Sequence, residues 1–246
     1  MVITGIFYYK NGTIRTSGFV AKNDQIYTEK RGIVKKMSQK SRERLALYVA
    51  ETQVKFKSMA TFTYPLRYRI TGKEAKDNLG ALLKFIRGKF PCIGYLWFME
   101  FTVKGQVHFH VLLDTQVLSL DKAEIARFWA YLIAKSTTDA EEIFYAHTRP
   151  GAIEPIKKPD GALRYALKYA LKSECKEVPT RFHNVGRFWG FNAKVKDSIP
   201  KPDFIKINEN DLRLFLEANN NPMANCKKWP LVIFNRKNVS RETIEQ

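Results

Sequence analysis

The stretch Glu100–Asp114, EFTVKGQVHFHVLLD, constrains the fold of this chain more than any other. Its residues alternate with the period of a β-strand on both sides of Val103-Lys104-Gly105, so it reads as a hairpin. Strand periodicity puts His108 and His110 on one face and Phe109 and Val111 on the other. A three-residue loop closed by glycine in the left-handed conformation fits Val103-Lys104-Gly105. That register sets Glu100 directly opposite His108 and Phe98 opposite His110, with opposed Cβ atoms roughly 5 Å apart on one face. A two-residue loop would turn Glu100 to the other face. In the three-residue register, two imidazoles and a carboxylate share one surface, a donor set that can hold a divalent metal with positions left for substrate.

The flanking sequence supplies strands and covering helices. Ser58–Tyr64, closed by Pro65, is rich in β-formers and reads as a buried strand, and residues 93–102 form the first arm of the hairpin. Thr71-Gly72-Lys73-Glu74 is a capping box opening a helix with Leu79, Leu82, Leu83 and Ile86 inward, ending near Gly88 and Pro91. Asp121-Lys122-Ala123-Glu124 reads as a second box, with Ile125, Phe128, Leu132 and Ile133 inward. Residues 142–156 look extended, and a helix is expected over 161–172. Near the N-terminus, residues 1–28 read as short strands with Asn11-Gly12 as a hairpin turn. Residues 30–44 are strongly basic, and Ser41 is a candidate cap for a helix carrying Leu45, Tyr48 and Val49 inward. A short helix is expected at 209–218 and a frayed tail at 240–246. The order of elements predicts an α+β fold, a central antiparallel sheet covered by helices. The expected division is N-terminal strands and a basic segment at 1–40, one domain at 41–195 and a C-terminal extension at 196–246.

Charge narrows the partners. The 246 residues carry 42 Lys+Arg against 24 Asp+Glu, a formal charge of +18. A surplus of that size favours a polyanion, nucleic acid before an acidic membrane surface. Cys92, Cys175 and Cys226 are widely spaced and form no CxxC pair, which argues against a zinc ribbon or a disulfide framework and suits a reducing setting. No apolar run reaches membrane-spanning length, and MVITGIFYYKNG lacks the pattern of a signal peptide.

A nucleophile is available at 161–172. At about 100° per residue, Leu163, Ala166, Leu167, Ala170 and Leu171 form an apolar face, and Tyr165, Lys168, Tyr169 and Lys172 lie opposite. Lysines beside a phenol favour its anion and attract phosphate, so a tyrosinate here could attack a metal-bound phosphodiester. Arg164 and Arg187 are candidate phosphate contacts. Thr61 and Thr63 share a strand face and are candidates to lie near the metal or the nucleic acid. His147 and His183 are best read as surface or partly buried histidines, and Phe188 and Trp189 as core.

Taken in order, these motifs resemble the His-hydrophobic-His (HUH) endonuclease superfamily, and within it the two-tyrosine rolling-circle replication initiators of single-stranded DNA phages, viruses and plasmids. Thr61-Phe62-Thr63-Tyr64-Pro65 looks like the first motif, Glu100 with His108-Phe109-His110 like the metal motif, and Tyr165-Ala-Leu-Lys168-Tyr169 like the tyrosine motif. Gly186-Arg187-Phe188-Trp189-Gly190 is similar to a segment that follows the tyrosine helix in phage-type members. The resemblance covers roughly residues 40–195. It implies a ferredoxin-like sheet with the metal motif on its middle strand. It also implies Mg²⁺ or Mn²⁺ at Glu100, His108 and His110, and nicking and rejoining of single-stranded origin DNA through a 5′-phosphotyrosine. No GxxxxGK[ST] loop is present, so a host helicase and a DNA polymerase are expected partners, in the cytoplasm of a bacterial host. Relaxases differ, with a third histidine where Asp114 stands here and tyrosines ahead of the metal motif. A transposase of the same chemistry and a non-catalytic nucleic-acid-binding module are the alternatives.

Overall fold

The structure is a computed structural model that describes residues 5–8, 13–17, 37–156, 178–206, 209–218 and 232–233. Along the chain the first elements are β1 (Gly5–Tyr8), β2 (Thr13–Ser17), α1 (Gln39–Glu51), β3 (Ser58–Thr63), α2 (Gly72–Lys89), β4 (Tyr95–Phe101) and β5 (Val107–Leu113). They are followed by α3 (Ser119–Ile133), α4 (Thr137–Thr148), β6 (Ile153–Pro155), β7 (Trp189–Phe191), α5 (Ala193–Asp197), β8 (Asp203–Lys206), α6 (Glu209–Ala218) and β9 (Val232–Ile233).

The chain forms two compact units, one of residues 1–31, 46–52 and 199–246, the other of residues 32–45 and 53–198. The first holds an antiparallel sheet in the order β8-β1-β2-β9. Its β1 and β2 pair Tyr8 with Ile14. The Asn11-Gly12 turn expected between them lies outside the described residues, as do the tail at 240–246 and most of the basic run at 30–44. The helix expected at 209–218 is α6.

The second unit is the α+β layer structure expected from the order of elements. Its five strands run antiparallel in the order β6-β3-β5-β4-β7, so the His-x-His strand β5 is central. One face carries Ala60, Phe62, Phe109, Val111 and Met99 into a core with Leu79, Leu82 and Ile86 of α2, Ile125 and Trp129 of α3, and Ile143 of α4. Burying those side chains drives the layers together, at roughly 25 cal/mol per Å² of apolar surface removed from water. The capping box at α2 is complete. The Thr71 hydroxyl accepts from Glu74 N–H and the Glu74 carboxylate accepts from Thr71 N–H at 2.8 Å.

Three local expectations are corrected. Residues 142–156 are not extended: α4 runs through Thr148, and only Ile153–Pro155 is strand. The helix starts because Ser136 accepts from Asp139 N–H at 3.1 Å, and Asp139 is held in turn by the Tyr68 hydroxyl at 2.7 Å and by Arg67. Those partners lie far away in sequence, so the cap is visible only once the chain has folded. Asp121 does not cap α3, which begins two residues earlier. It pairs instead with Lys89 Nζ at 2.9 Å. With that start Trp129 is fully buried, and Phe128 and Leu132 are only partly so. Ser41 does not cap α1. Ser38 Oγ accepts from Ser41 N–H at 3.2 Å, and the Ser41 hydroxyl accepts from Trp189 Nε1–H at 2.9 Å.

Gly72, the first residue of α2, sits against the segment that follows the tyrosine stretch. A Cβ there would overlap Val185 Cγ1 and stand 3.1 Å from Arg181 O and Phe182 Cα. Gly72→Ala is expected to destabilise the protein by about 1–3 kcal/mol, because backbone on the facing segment must move. Its urea midpoint should fall, and that of Gly80→Ala, where nothing lies within 4 Å, should not.

Candidate metal and nucleic-acid site

The hairpin adopts the three-residue form. Thr102 N–H donates to Gln106 O at 2.9 Å, Gly105 N–H donates to Thr102 O at 2.9 Å, and Gly105 has φ +75. An L side chain is strained at that φ, which is why the position takes glycine. The register follows: Glu100 pairs with His108 and Phe98 with His110. On the other side of β5, Thr61 pairs with His110 and Thr63 with His108. Three adjacent strands thus align Thr63, His108 and Glu100 in one row and Thr61, His110 and Phe98 in the next.

Burial marks the first row. Among the residues of β4 Glu100 alone is half-buried, and among those of β5 His108 alone. Central strands bury both faces unless something must reach solvent or a ligand, so paired openings on adjacent strands signal function.

The second row is hydrogen-bonded across the sheet. His110 is nearly buried, its ring centroid 4.9 Å from that of Phe98. Its Nδ1 lies 3.1 Å from the Thr61 hydroxyl and its Nε2 lies 3.3 Å from the Glu100 carboxylate. The His108 and His110 ring centroids are 6.3 Å apart. As the side chains are placed, no group of three His, Cys, Asp or Glu among the described residues is gathered closely enough to hold a metal. The Glu100 carboxylate instead rests on His110 Nε2, an atom that coordination would use. In chemistry the donor set fits a small divalent cation, because two imidazoles and one carboxylate reach a common surface and one imidazole already has its far nitrogen partnered.

The strand beneath the two threonines is fixed from the helix layer. Beyond Ala60 the edge of β3 has no β6 partner, yet its backbone groups are satisfied. Thr61 N–H donates to Ala152 O at 2.7 Å, Thr63 N–H to His147 Nε2 at 3.1 Å, and Trp129 Nε1–H donates to Thr63 O at 3.1 Å. His147 is buried, donates from Nδ1 to Ile143 O at 2.7 Å and stacks on Phe62. Burial, with the charges of Arg149 and His108, holds its imidazole below the usual range against the opposing pull of the Ile143 carbonyl. Its role is structural, as its bland sequence reading allowed. The Ile143–His147 spacing behind the Ser136 cap is the sequence signal for it. His183 is partly buried and its Nε2 meets Val178 O at 3.1 Å.

The hairpin loop is held from 76 residues away. Arg181 donates from Nη2 to Gly105 O at 2.7 Å and to Gln106 Oε1 at 3.2 Å, and the buried Gln106 amide donates to Pro65 O at 2.6 Å. No local pattern identifies Arg181. Arg187 is exposed, and its carbonyl accepts from Lys76 Nζ, which lies 3.9 Å from the centre of the Trp97 ring. Burial, then the Arg187 charge, pushes the Lys76 ammonium down to about 8. Trp189 and Phe188 are buried, as read from sequence. Arg164, Tyr165, Lys168, Tyr169 and Lys172 lie outside the described residues.

Residues 57–174, just under half of the chain, match the model of a family described as replication-associated protein, ORF2 type. That span begins one residue before β3 and includes all three motif segments. Comparisons with the curated proteins and with the solved structures gave no match. Among the described residues no helix is long and apolar enough to cross a membrane.

Proposed function

We propose that this protein initiates rolling-circle DNA replication by nicking and rejoining single-stranded origin DNA. The observation that carries the proposal is the register that sets Glu100 opposite His108 and beside His110, on the central strands of a region similar to replication-associated proteins. The net charge of +18 suits the substrate, because neutralising phosphates releases counterions.

In this reading Glu100, His108 and His110 hold Mg²⁺ or Mn²⁺, which when bound polarises the scissile phosphate and neutralises developing charge. Tyr165 or Tyr169 attacks phosphorus through its phenolate oxygen. The new P–O(Tyr) bond replaces the P–O3′ bond, and the departing 3′ oxygen takes a proton to become the hydroxyl that primes synthesis. Lys168 and Lys172 favour the phenolate and bind phosphate. The phosphotyrosine keeps the bond energy of the diester, so the second tyrosine can transfer the strand later without ATP. Arg164, Arg187 and the Thr63 edge contact DNA, and a host helicase and polymerase supply unwinding and synthesis.

A non-catalytic module on such a sheet would present stacking aromatics at the exposed row. The half-buried residues there are Thr63, His108 and Glu100, and Phe98 is buried, which favours chemistry over stacking. Incubation of the full chain with single-stranded origin DNA and Mn²⁺ should give a covalent protein–DNA adduct that survives denaturation. Tyr165→Phe combined with Tyr169→Phe should abolish it. An adduct that persists in the double variant refutes the assigned nucleophiles, and no adduct on the matching origin refutes the reaction.

A further inference from the structure

We infer that Thr61 is the positioning residue for His110, a hydroxyl that pairs with Nδ1 in either of two proton arrangements and so lets Nε2 exchange a carboxylate for a cation. The inference rests in part on the metal role proposed above, and its test separates the two.

The argument starts from donors and acceptors. An ionised carboxylate only accepts hydrogen bonds. With Glu100 Oε2 3.3 Å from His110 Nε2, the imidazole proton is on Nε2 and Nδ1 carries a lone pair. The Thr61 hydroxyl, 3.1 Å from Nδ1, is therefore the donor in this arrangement. A cation bound at Nε2 needs the lone pair there. The ring then loses its proton from Nε2 to solvent and gains one at Nδ1, staying neutral, and Nδ1–H donates to Thr61 Oγ1. A hydroxyl serves both arrangements. A carbonyl or carboxylate in its place only accepts and an ammonium only donates, and each would lock one tautomer.

The backbone holds that hydroxyl where it must act. Thr61 is the direct ladder partner of His110, and its β-branched side chain has a restricted χ1. The strand cannot slide, because Ala152 O, His147 and Trp129 occupy the backbone groups of Thr61 and Thr63 along its free edge. Stacking on Phe98 fixes the ring plane. The geometry thus gives Thr61 a task at the imidazole rather than at DNA.

The test uses ring ¹⁵N NMR of the metal-free full chain, followed by a Mn²⁺ titration read by electron paramagnetic resonance. In the wild type His110 should show a single Nε2–H tautomer. Thr61→Val, with Thr61→Ala as a second variant should valine disturb the strand, should turn this into a mixture and weaken Mn²⁺ binding by about tenfold or more. Thr61→Ser should restore both. Unchanged ring shifts in Thr61→Val and Thr61→Ala, or a serine variant that behaves like valine, overturns the inference. A wild type with the expected tautomer and variant response that binds no Mn²⁺ upholds the positioning role and overturns the metal reading instead.

Discussion

Replacing His110 with alanine is expected to lower formation of the DNA adduct roughly a thousandfold, the several kcal/mol that a metal contributes at a phosphoryl centre expressed as a rate. His110 Nε2 faces Glu100 and its Nδ1 is fixed by Thr61, so its removal takes one donor and strands the other two. The substitution also leaves a void beside Phe98, because the ring is nearly buried and stacked there, at a cost of about 2 kcal/mol. His108→Ala separates chemistry from packing. His108 is half-buried, so its loss should reduce the adduct to a similar extent with little change in Tm. Adduct formation by His108→Ala at the wild-type rate would contradict its place among the metal ligands.

The largest effect on stability is expected at His147, far from the chemistry. His147→Ala leaves Thr63 N–H without its acceptor, costing about 1–3 kcal/mol, and opens a cavity between Phe62 and Trp129 worth about 2 kcal/mol more. The urea midpoint should fall accordingly, and amide exchange at Thr63 should accelerate most. The same residue gives a pH dependence whose sign is fixed. The folded protein holds His147 below its unfolded value, so the unfolded chain takes the proton first. The stability it contributes is complete above the unfolded pKa of about 6.5 and is lost as the pH falls toward the folded value. Between about pH 7.5 and 5.5 the wild type should lose stability, and His147→Gln, with no group to titrate, should lose less. An equal loss in both would place the titration elsewhere.

The hairpin was legible in the sequence because its information is local. Alternation fixes which side chains share a face, and a glycine at the end of a three-residue loop fixes the register. Glu100, His108 and His110 could therefore be placed together from one short continuous stretch. The capping box at Thr71 was readable for the same reason, since both hydrogen bonds lie within one turn of helix.

The tertiary structure alone decided what depends on distant partners. Ser136 starts a helix where the sequence looks extended, and its Asp139 is secured by Arg67 and Tyr68 from about seventy residues away. Trp129 turns inward instead of Phe128 because its indole N–H has the Thr63 carbonyl to satisfy. Arg181 reaches Gly105, and His147 completes the free edge of β3. The sequence placed Thr61 and Thr63 on one face but offered no means to tell a DNA contact from a hydrogen bond to His110. That distinction depends on β3 pairing with β5, 49 residues away, and on a 3.1 Å distance that no periodicity encodes. Local spacing determined the donor set, and long-range packing determined how its imidazole is held.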